Sequence, residues 1–163
     1  VVAKLSPADS LEMDVSIQFD DQLIGTQSIS YKNTSQAFLD ELADARTFCM
    51  PKDVEAMRNS GLARGGSLDN ALVVHNGAVL NEGGLRSTDE FVRHKTLDCL
   101  GDLFLLGMAV KARLTTSKPG HALSTMLLKT LMNTPDAFSI NGGEATGGQA
   151  QWAYPETAVA AHS

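Results

Sequence analysis

The chain has 163 residues, of which 43% are apolar, 20% are charged and 6% are aromatic, and its formal net charge is −6. A chain of this length buries a core without a disulfide or a structural metal, and its acidic balance argues against nucleic acid or an anionic membrane as the main partner. No apolar run approaches the roughly 20 residues of a transmembrane segment, and the first residues do not show the basic-then-apolar pattern of a signal peptide. Cys49 and Cys99 lack the CxxC spacing. We therefore expect a cytoplasmic globular protein with reduced thiols, a disulfide between the two cysteines being the alternative.

The first 35 residues carry the patterns of β-structure. Over residues 11–20 apolar and polar side chains alternate without a break, which is typical of a strand buried on one face. A turn at residues 20–22 and a second strand over about 23–31 complete a predicted hairpin. Another hairpin is predicted over 72–80, where Asn76 and Gly77 stand between two apolar runs.

Two short helices are predicted between these hairpins. Thr34 or Ser35 caps the first, and its apolar residues recur at helical spacing: Phe38, Leu39, Leu42 and Ala45. Pro51 suits the first turn of the second helix, and Gly61 suits the position just after its end.

A longer helix is predicted over residues 87–107, beginning with the S-x-x-E capping box of Ser87 and Glu90. One of its sides is apolar and should pack on the sheet: Val92, Leu97, Leu100, Leu103 and Phe104. A short strand near 110–116 and a helix over about 122–132 follow, and the tail over about 141–163 is expected to be loose. The chain, 1–163, is thus predicted to be a single α+β domain, a two-layer sandwich of a mainly antiparallel sheet with packed helices.

Polar residues on the other side of the long helix form the first candidate site. At 100° per residue, His94, Lys95, Asp98 and Asp102 fall within one arc of about 100°. His94 and Asp98 are four residues apart, so their side chains point the same way and are able to hold one metal ion. A solvated polar face with ordinary ion pairs is the alternative, because HxxxD is a weak signal.

His121 opens the last predicted helix and is the second candidate. The start of a helix favours anions, so a charged His121 would need a nearby carboxylate; a packed or capping histidine is the alternative. The HExxH, G-x-S-x-G, GxGxxG and P-loop motifs are missing. Their absence removes the usual support for zincin, α/β-hydrolase and nucleotide-binding interpretations.

Short motifs in a fixed order connect these candidates. They are ARTF (45–48), GLA with GGS (61–67), VLNEGGLR (79–86), DEFVRHK (89–95), LD (97–98), GDL (101–103) and GHAL (120–123). This series closely resembles the C-terminal half of the UDP-3-O-acyl-N-acetylglucosamine deacetylase family, the zinc amidases that commit Gram-negative bacteria to lipid A synthesis. The likeness is dense over about 45–128, and several motifs in order are far more specific than one alone.

The resemblance implies a zinc site on the long helix. His94 and Asp98 would be two of the zinc ligands, and Lys95 would line the site and help to hold the substrate, a UDP-sugar bearing a 3-O-acyl chain. Zinc in such a site polarises an acetamide carbonyl and lowers the pKa of water.

The resemblance also implies the groups around the zinc. His121 would act as a cationic electrostatic or general-acid group beside Asp102, while Thr47 and Phe48 would contact the acetamide and the sugar. A βαβ insert over about 49–78 would form a hydrophobic passage for the acyl chain, with these candidate wall residues: Met50, Val54, Ala63, Ala71 and Val73.

The family's third zinc ligand and its general base come from an N-terminal half, on a Glu-His motif that this chain lacks. We therefore expect the chain to be one half of a two-domain enzyme, inactive alone and completed by that N-terminal half. The alternative is a non-catalytic module that binds the acyl chain or the nucleotide-sugar. The coding sequence upstream of Val1 discriminates between the two.

Overall fold

This computed structural model describes residues 1–50, 61, 67 and 70–141. Within these residues the chain forms seven strands and three α-helices. The strands are β1 (Val2–Pro7), β2 (Glu12–Gln18), β3 (Thr26–Lys32), β4 (Thr47–Cys49), β5 (Ala71–His75), β6 (Ala78–Val79) and β7 (Ala112–Ser117). The helices are α1 (Ser35–Ala37), continued by a π-helical turn (Phe38–Leu42), α2 (Glu90–Leu103), continued by a 3₁₀ turn (Phe104–Leu106), and α3 (His121–Met132). Every helix in this described part is too short or too polar to cross a membrane.

The larger sheet has the strand order β1–β7–β2–β3. Strand β7 pairs antiparallel with β1 and parallel with β2, and β2 pairs antiparallel with β3. Helix α2 lies against β2 and β3, and α3 lies against β1. Two of the three strand pairings are therefore antiparallel, and the fold is α+β, as the sequence predicts.

The predicted hairpin of β2 and β3 is confirmed, although its second strand begins at Thr26 rather than near Leu23. The turn is longer because the Asp21 carboxylate accepts hydrogen bonds from the backbone N–H groups of Leu23 and Ile24, at 2.9 and 3.3 Å. An aspartate that binds its own backbone in this way holds the following residues in a turn and delays the strand.

The core lies between the larger sheet and α2. The alternating side of β2 and the residue before it are buried: Leu11, Met13, Val15 and Ile17. Helix α2 covers them with its own buried residues: Phe91, Val92, Cys99, Leu100 and Leu103. Burial of one large apolar side chain contributes roughly 1.5–3 kcal/mol. This packing fixes which side of α2 faces the sheet, and therefore which side carries the candidate polar residues.

Phe104, which is predicted to pack on the sheet, is instead exposed, at 64% of its surface, and Leu39 of the first helical segment is exposed at 62%. Both lie where the α-helical period changes. The first helix widens into a π-helical turn at Phe38, and α2 tightens into a 3₁₀ turn at Phe104 that Gly107 ends with a φ of +68°. A changed number of residues per turn rotates side chains away from the face that a 3.6-residue period predicts. Leu100 packs on the sheet as expected, and Phe104 does not.

The predicted capping box at the start of α2 is wrong. The helix begins at Glu90, three residues later than predicted, and its N-cap Asp89 makes no side-chain cap hydrogen bond. The Glu90 carboxylate binds Arg46, which lies far away in the sequence. This pairing prevails over a local cap because a buried carboxylate without a charged partner would be strongly destabilising.

The smaller sheet consists of β4, β5 and β6. Strands β4 and β5 are parallel, the pairing that a βαβ insert requires, and β5 and β6 form the hairpin predicted there. Asn76 and Gly77 have φ values of +51° and +72°, which a type I′ turn needs. The helix predicted after Pro51 and the tail beyond residue 141 lie outside the described residues.

Candidate active site

Arg46 and Glu90 form a buried ion pair that joins the start of β4 to the start of α2. The guanidinium contacts the carboxylate twice, Nε to Oε1 at 2.8 Å and Nη2 to Oε2 at 3.1 Å, and only 1% of the Glu90 side chain is exposed. The backbone N–H groups of Arg46 and Arg86 also donate to this carboxylate, at 3.1 and 2.6 Å. Arg46 Nη2 further donates to the carbonyl of Gly84 at 2.8 Å. Both carboxylate oxygens are therefore surrounded by donors.

This environment keeps Glu90 ionised. Burial alone favours the neutral carboxyl, but the hydrogen bonds from Arg46 and Arg86 and the charge of Arg46 outweigh it and lower the Glu90 pKa below its ordinary value of 4.5. The hydrogen bond to Glu90 in turn raises the pKa of Arg46. The pair is ionic at neutral pH, so removing one partner would leave the other charge buried.

Three backbone carbonyls before β4 are bound by side chains of α2 and of the loop that precedes it. The contacts are Glu41 O with Arg93 Nη1 at 3.0 Å, Asp44 O with Arg86 Nη1 at 2.8 Å and Ala45 O with His94 Nδ1 at 3.1 Å. Together with the ion pair, these bonds hold the segment before β4 against the first two turns of α2. Strand β4 therefore begins beside the polar side of this helix.

His94 and Asp98 lie one turn apart on α2, and their side chains converge. His94 Nε2 is 3.3 Å from Asp98 Oδ1, and both side chains are mostly buried. A carbonyl oxygen only accepts hydrogen bonds, so the contact with Ala45 O places a proton on His94 Nδ1. Nε2 is the nitrogen left to face the carboxylate.

The separation of these two atoms fits a metal ion held between them. Tetrahedral zinc, with bonds of about 2.0–2.2 Å to nitrogen and oxygen, keeps two of its ligand atoms about 3.4 Å apart. A bond from the other ring nitrogen to a backbone carbonyl is the usual outer contact of a zinc-bound histidine. Catalytic zinc usually has three protein ligands. Within the described residues, no third histidine, cysteine or carboxylate completes the group.

Asp98 also binds Lys95, whose Nζ lies 2.8 Å from Oδ2. Burial works against a charge on Asp98, but in the metal-free protein, with a proton also on His94 Nε2, the hydrogen bonds and charges of His94 and Lys95 outweigh it and lower the Asp98 pKa to about 2. The carboxylate is therefore ionised at neutral pH, which is the form that a metal ion binds.

Phe48 lies at the centre of an aromatic cluster beside His94. Its ring meets the rings of Phe91, Phe19 and His94 edge-on, with centroid distances of 5.0, 5.4 and 6.5 Å. Lys95 Nζ is 5.8 Å from the centroid of the same ring, which is close enough for cation–π attraction. These contacts fix the Phe48 ring and the Lys95 ammonium beside the His94–Asp98 pair.

His121 and Asp102 form a second histidine–carboxylate pair. His121 Nδ1 lies 2.9 and 3.1 Å from the two oxygens of Asp102, which supplies the carboxylate that a charged histidine at a helix start needs. The His121 side chain is 70% exposed, whereas Asp102 is mostly buried. One ring nitrogen is therefore anchored and the other is open to solvent. Asp102 follows Asp98 by four residues, so both pairs lie along the same side of α2.

The remaining predicted residues that the structure describes lie on or next to the smaller sheet. Thr47 is exposed at the start of β4 and lies opposite Ala71 of β5. Met50, Ala71 and Val73 are half-buried. Two predicted wall residues fall outside the described part of the chain: Val54 and Ala63.

Sequence reasoning missed the Arg46–Glu90 pair and the bond from His94 to Ala45. A weak signal exists, since Glu90 directly precedes the apolar residues Phe91 and Val92, and a charge that is buried beside such residues needs a partner. The identity of that partner depends on the fold, because Glu90 stands 44 positions after Arg46 in the sequence.

Comparison with known proteins identifies similar chains. A family model described as UDP-3-O-acyl N-acetylglycosamine deacetylase matches residues 1–133. Proteins named UDP-3-O-acyl-N-acetylglucosamine deacetylase are similar too. The one from Phenylobacterium zucineum is 49% identical over 138 residues, which is 85% of this chain and 47% of the relative. The protein from an Anaeromyxobacter species is 48% identical over 139 residues, which is 85% of this chain and 46% of the relative. The protein from Campylobacter lari is 42% identical over 137 residues, which is 84% of this chain and 47% of the relative. The chain thus spans about half the length of the curated relatives it matches.

Substitution of Glu90 by glutamine should destabilise the protein in a pH-dependent way. At pH 7.5 the variant leaves Arg46 buried without a charged partner, which costs about 3–5 kcal/mol. The pKa of Glu90 is lower in the folded protein than its ordinary value of 4.5. The contribution of Glu90 to the free energy of unfolding is therefore fully present above pH 4.5, and it is lost as the pH falls through the pKa of the folded state. Urea unfolding at several pH values should therefore show the difference from wild type shrinking below pH 4.5. The exposed Glu82→Gln is the control, and a difference that does not change with pH would contradict this account.

Proposed function

This chain belongs to the UDP-3-O-acyl-N-acetylglucosamine deacetylase family, and we propose that it supplies the C-terminal half of a zinc-dependent active site. The proposed reaction is hydrolysis of the acetamide of UDP-3-O-acyl-N-acetylglucosamine, the committed step of lipid A synthesis in the cytoplasm of Gram-negative bacteria. One observation carries the proposal: two histidine–carboxylate pairs lie along the same side of α2, one mostly buried and one whose histidine is open to solvent.

His94 and Asp98 are the residues that would hold zinc, through Nε2 and a carboxylate oxygen. When bound in such a site, zinc acts as a Lewis acid toward a carbonyl oxygen and lowers the pKa of water. This chain keeps both ligands in a form that binds metal. Ala45 O holds the proton on His94 Nδ1, and Lys95 helps to keep the Asp98 carboxylate charged despite its burial.

His121 is proposed to stabilise charge or to deliver a proton as the acetamide bond breaks. Asp102 holds Nδ1, so Nε2 is the atom that would donate to the departing amine. A cationic ring held by a carboxylate also stabilises negative charge that develops on the acetamide oxygen. Thr47, exposed at the start of β4, is proposed to donate a hydrogen bond to that same oxygen.

Lys95 and Phe48 are proposed to hold the substrate beside the metal. The aromatic cluster leaves the Phe48 ring little freedom, and a rigid ring binds a sugar with a small loss of entropy. The acyl chain is proposed to run along the smaller sheet and the insert, beside these apolar residues: Met50, Val54, Ala63, Ala71 and Val73.

The third zinc ligand and the base that takes the proton of the attacking water are proposed to come from the N-terminal half of the same enzyme. The lengths of the relatives support this, since each is about twice as long as the matched region. Large apolar side chains exposed on the helical layer support a partner there: Leu105, Met126 and Met132. Exposed apolar side chains gain free energy when a partner covers them.

Zinc binding by the chain should depend on His94. We expect weak binding, because two protein ligands leave the rest of the coordination shell to water. Loss of an outer contact of a metal ligand typically costs about 10–100-fold in affinity, so His94→Ala, which removes the ligand itself, should cost at least that much. Isothermal titration calorimetry with zinc measures the effect, with His75→Ala at the exposed β5–β6 turn as the control. Tight binding that His94→Ala leaves unchanged would show that the zinc site is elsewhere.

His121→Ala should lower kcat by about 10²–10⁴-fold in the complete two-domain enzyme while changing KM little. The physical reason is that the contact of His121 is strongest in the transition state, where charge develops and a proton moves. Release of radiolabelled acetate from UDP-3-O-acyl-N-acetylglucosamine is the assay. Thr125→Ala, at an exposed position one turn further along α3, is the matched control. An unchanged kcat in His121→Ala, or robust turnover by this chain alone, would contradict the proposed division of labour.

A further inference from the structure

We propose that the Arg46–Glu90 ion pair is a positioning device that sets the metal affinity of His94 and the orientation of Phe48. Among the described residues, the hydrogen bonds of Arg46 and Glu90 go to each other, to Gly84 and to Arg86, and none goes to His94 or Asp98. Both members of the pair therefore act through the segment that they hold. This inference rests on the proposed function only for the identity of the metal, and its geometric part is independent of any metal.

The first link runs from Arg46 to Ala45. The Arg46 side chain donates hydrogen bonds to the Glu90 carboxylate and to the carbonyl of Gly84, and the Arg46 backbone N–H donates to Glu90 Oε1. The peptide group between Ala45 and Arg46 carries both the carbonyl that binds His94 Nδ1 and the N–H that binds Glu90. One rigid peptide plane therefore joins the ion pair directly to the histidine.

The second link is the spacing on α2. Glu90 and His94 are four residues apart, so both side chains rise from the same side of the helix on successive turns. The peptide plane before Arg46 is thus attached to α2 twice, first through the Arg46 N–H to Glu90 and second through the Ala45 carbonyl to His94, one turn further along. When the first attachment is lost, the carbonyl of Ala45 is no longer held at 3.1 Å from His94 Nδ1, and the ring is free to turn its Nε2 away from Asp98.

The third link reaches the aromatic cluster. Phe48 lies in β4, two residues after Arg46, and its ring is edge-on to the rings of His94 and Phe91. A shift of the start of β4 moves this ring and, with it, the partner of the Lys95 ammonium. The ion pair therefore positions a metal ligand and an aromatic contact through one segment.

Two variants separate positioning from stability. Arg46→Lys keeps the charge but loses the two-pronged geometry that contacts Glu90 and Gly84 together. The double variant Arg46→Met/Glu90→Leu replaces the pair with apolar side chains, an exchange that often leaves stability unchanged or improved. Arg113→Lys is the control, because the Arg113 guanidinium also contacts two different residues, the carboxylates of Glu12 and Asp14, on the larger sheet away from the site.

Two measurements on folded protein, well below each variant's Tm, test the proposal. Zinc titration should show affinities about 10–100-fold weaker in both pair variants and unchanged in Arg113→Lys. NMR of the metal-free proteins should show cross-relaxation between the rings of Phe48 and His94 in wild type and control, and its loss in the pair variants. Circular dichroism confirms that each protein is folded.

Wild-type zinc affinity and retained ring contacts in a folded pair variant would overturn the inference. If Arg46→Lys fails to fold, the double variant alone decides between the outcomes. Zinc binding that does not depend on His94 in the wild type would instead defeat the proposed function. In that case the ring contacts, which are measured without metal, still confirm or overturn the positioning role.

Discussion

A carboxylate with 1% of its side chain exposed needs donors on both oxygens, and Glu90 receives them from Arg46 and from the backbone of Arg86. This requirement determines how the smaller sheet is attached to α2. It fixes the start of α2, prevents the glutamate from capping its own helix, and fastens the entry to β4 against that helix. The groups proposed to bind metal and substrate, His94 and Phe48, are each within a few residues of one member of the pair.

The two histidine–carboxylate pairs differ in their surroundings, and the difference matches their proposed roles. His94 and Asp98 are mostly buried, and a lysine neutralises the carboxylate from its other side. Two ligand atoms that are fixed and mostly shielded from water suit a metal ion, because the electrostatic attraction between the ion and its ligands is stronger where less water surrounds them. The ring of His121 is open to solvent and anchored at one nitrogen. That arrangement suits a group that must meet a substrate and exchange a proton with it.

The features predictable from sequence are those set by neighbours along the chain. Strict alternation identified the buried side of β2, an Asn-Gly pair identified the turn at Asn76, and four-residue spacing brought His94 and Asp98 together. Prediction failed where the local period changes, which exposed Phe104. It also failed at Glu90, where the sequence matches the S-x-x-E capping motif but the carboxylate pairs with the distant Arg46 instead of capping the helix. Free energies of burial and charge pairing decide such competitions, and they depend on contacts that only the folded chain creates.

We propose that one side of α2 provides a histidine nitrogen and a carboxylate oxygen to a zinc ion. X-ray absorption spectroscopy of the zinc-loaded chain tests this claim most directly, because it identifies the atoms bound to the metal. We expect a first shell of nitrogen and oxygen atoms only, with outer scattering from a single imidazole that disappears in His94→Ala. A sulfur atom in the first shell, or an imidazole signal that His94→Ala leaves unchanged, would contradict it.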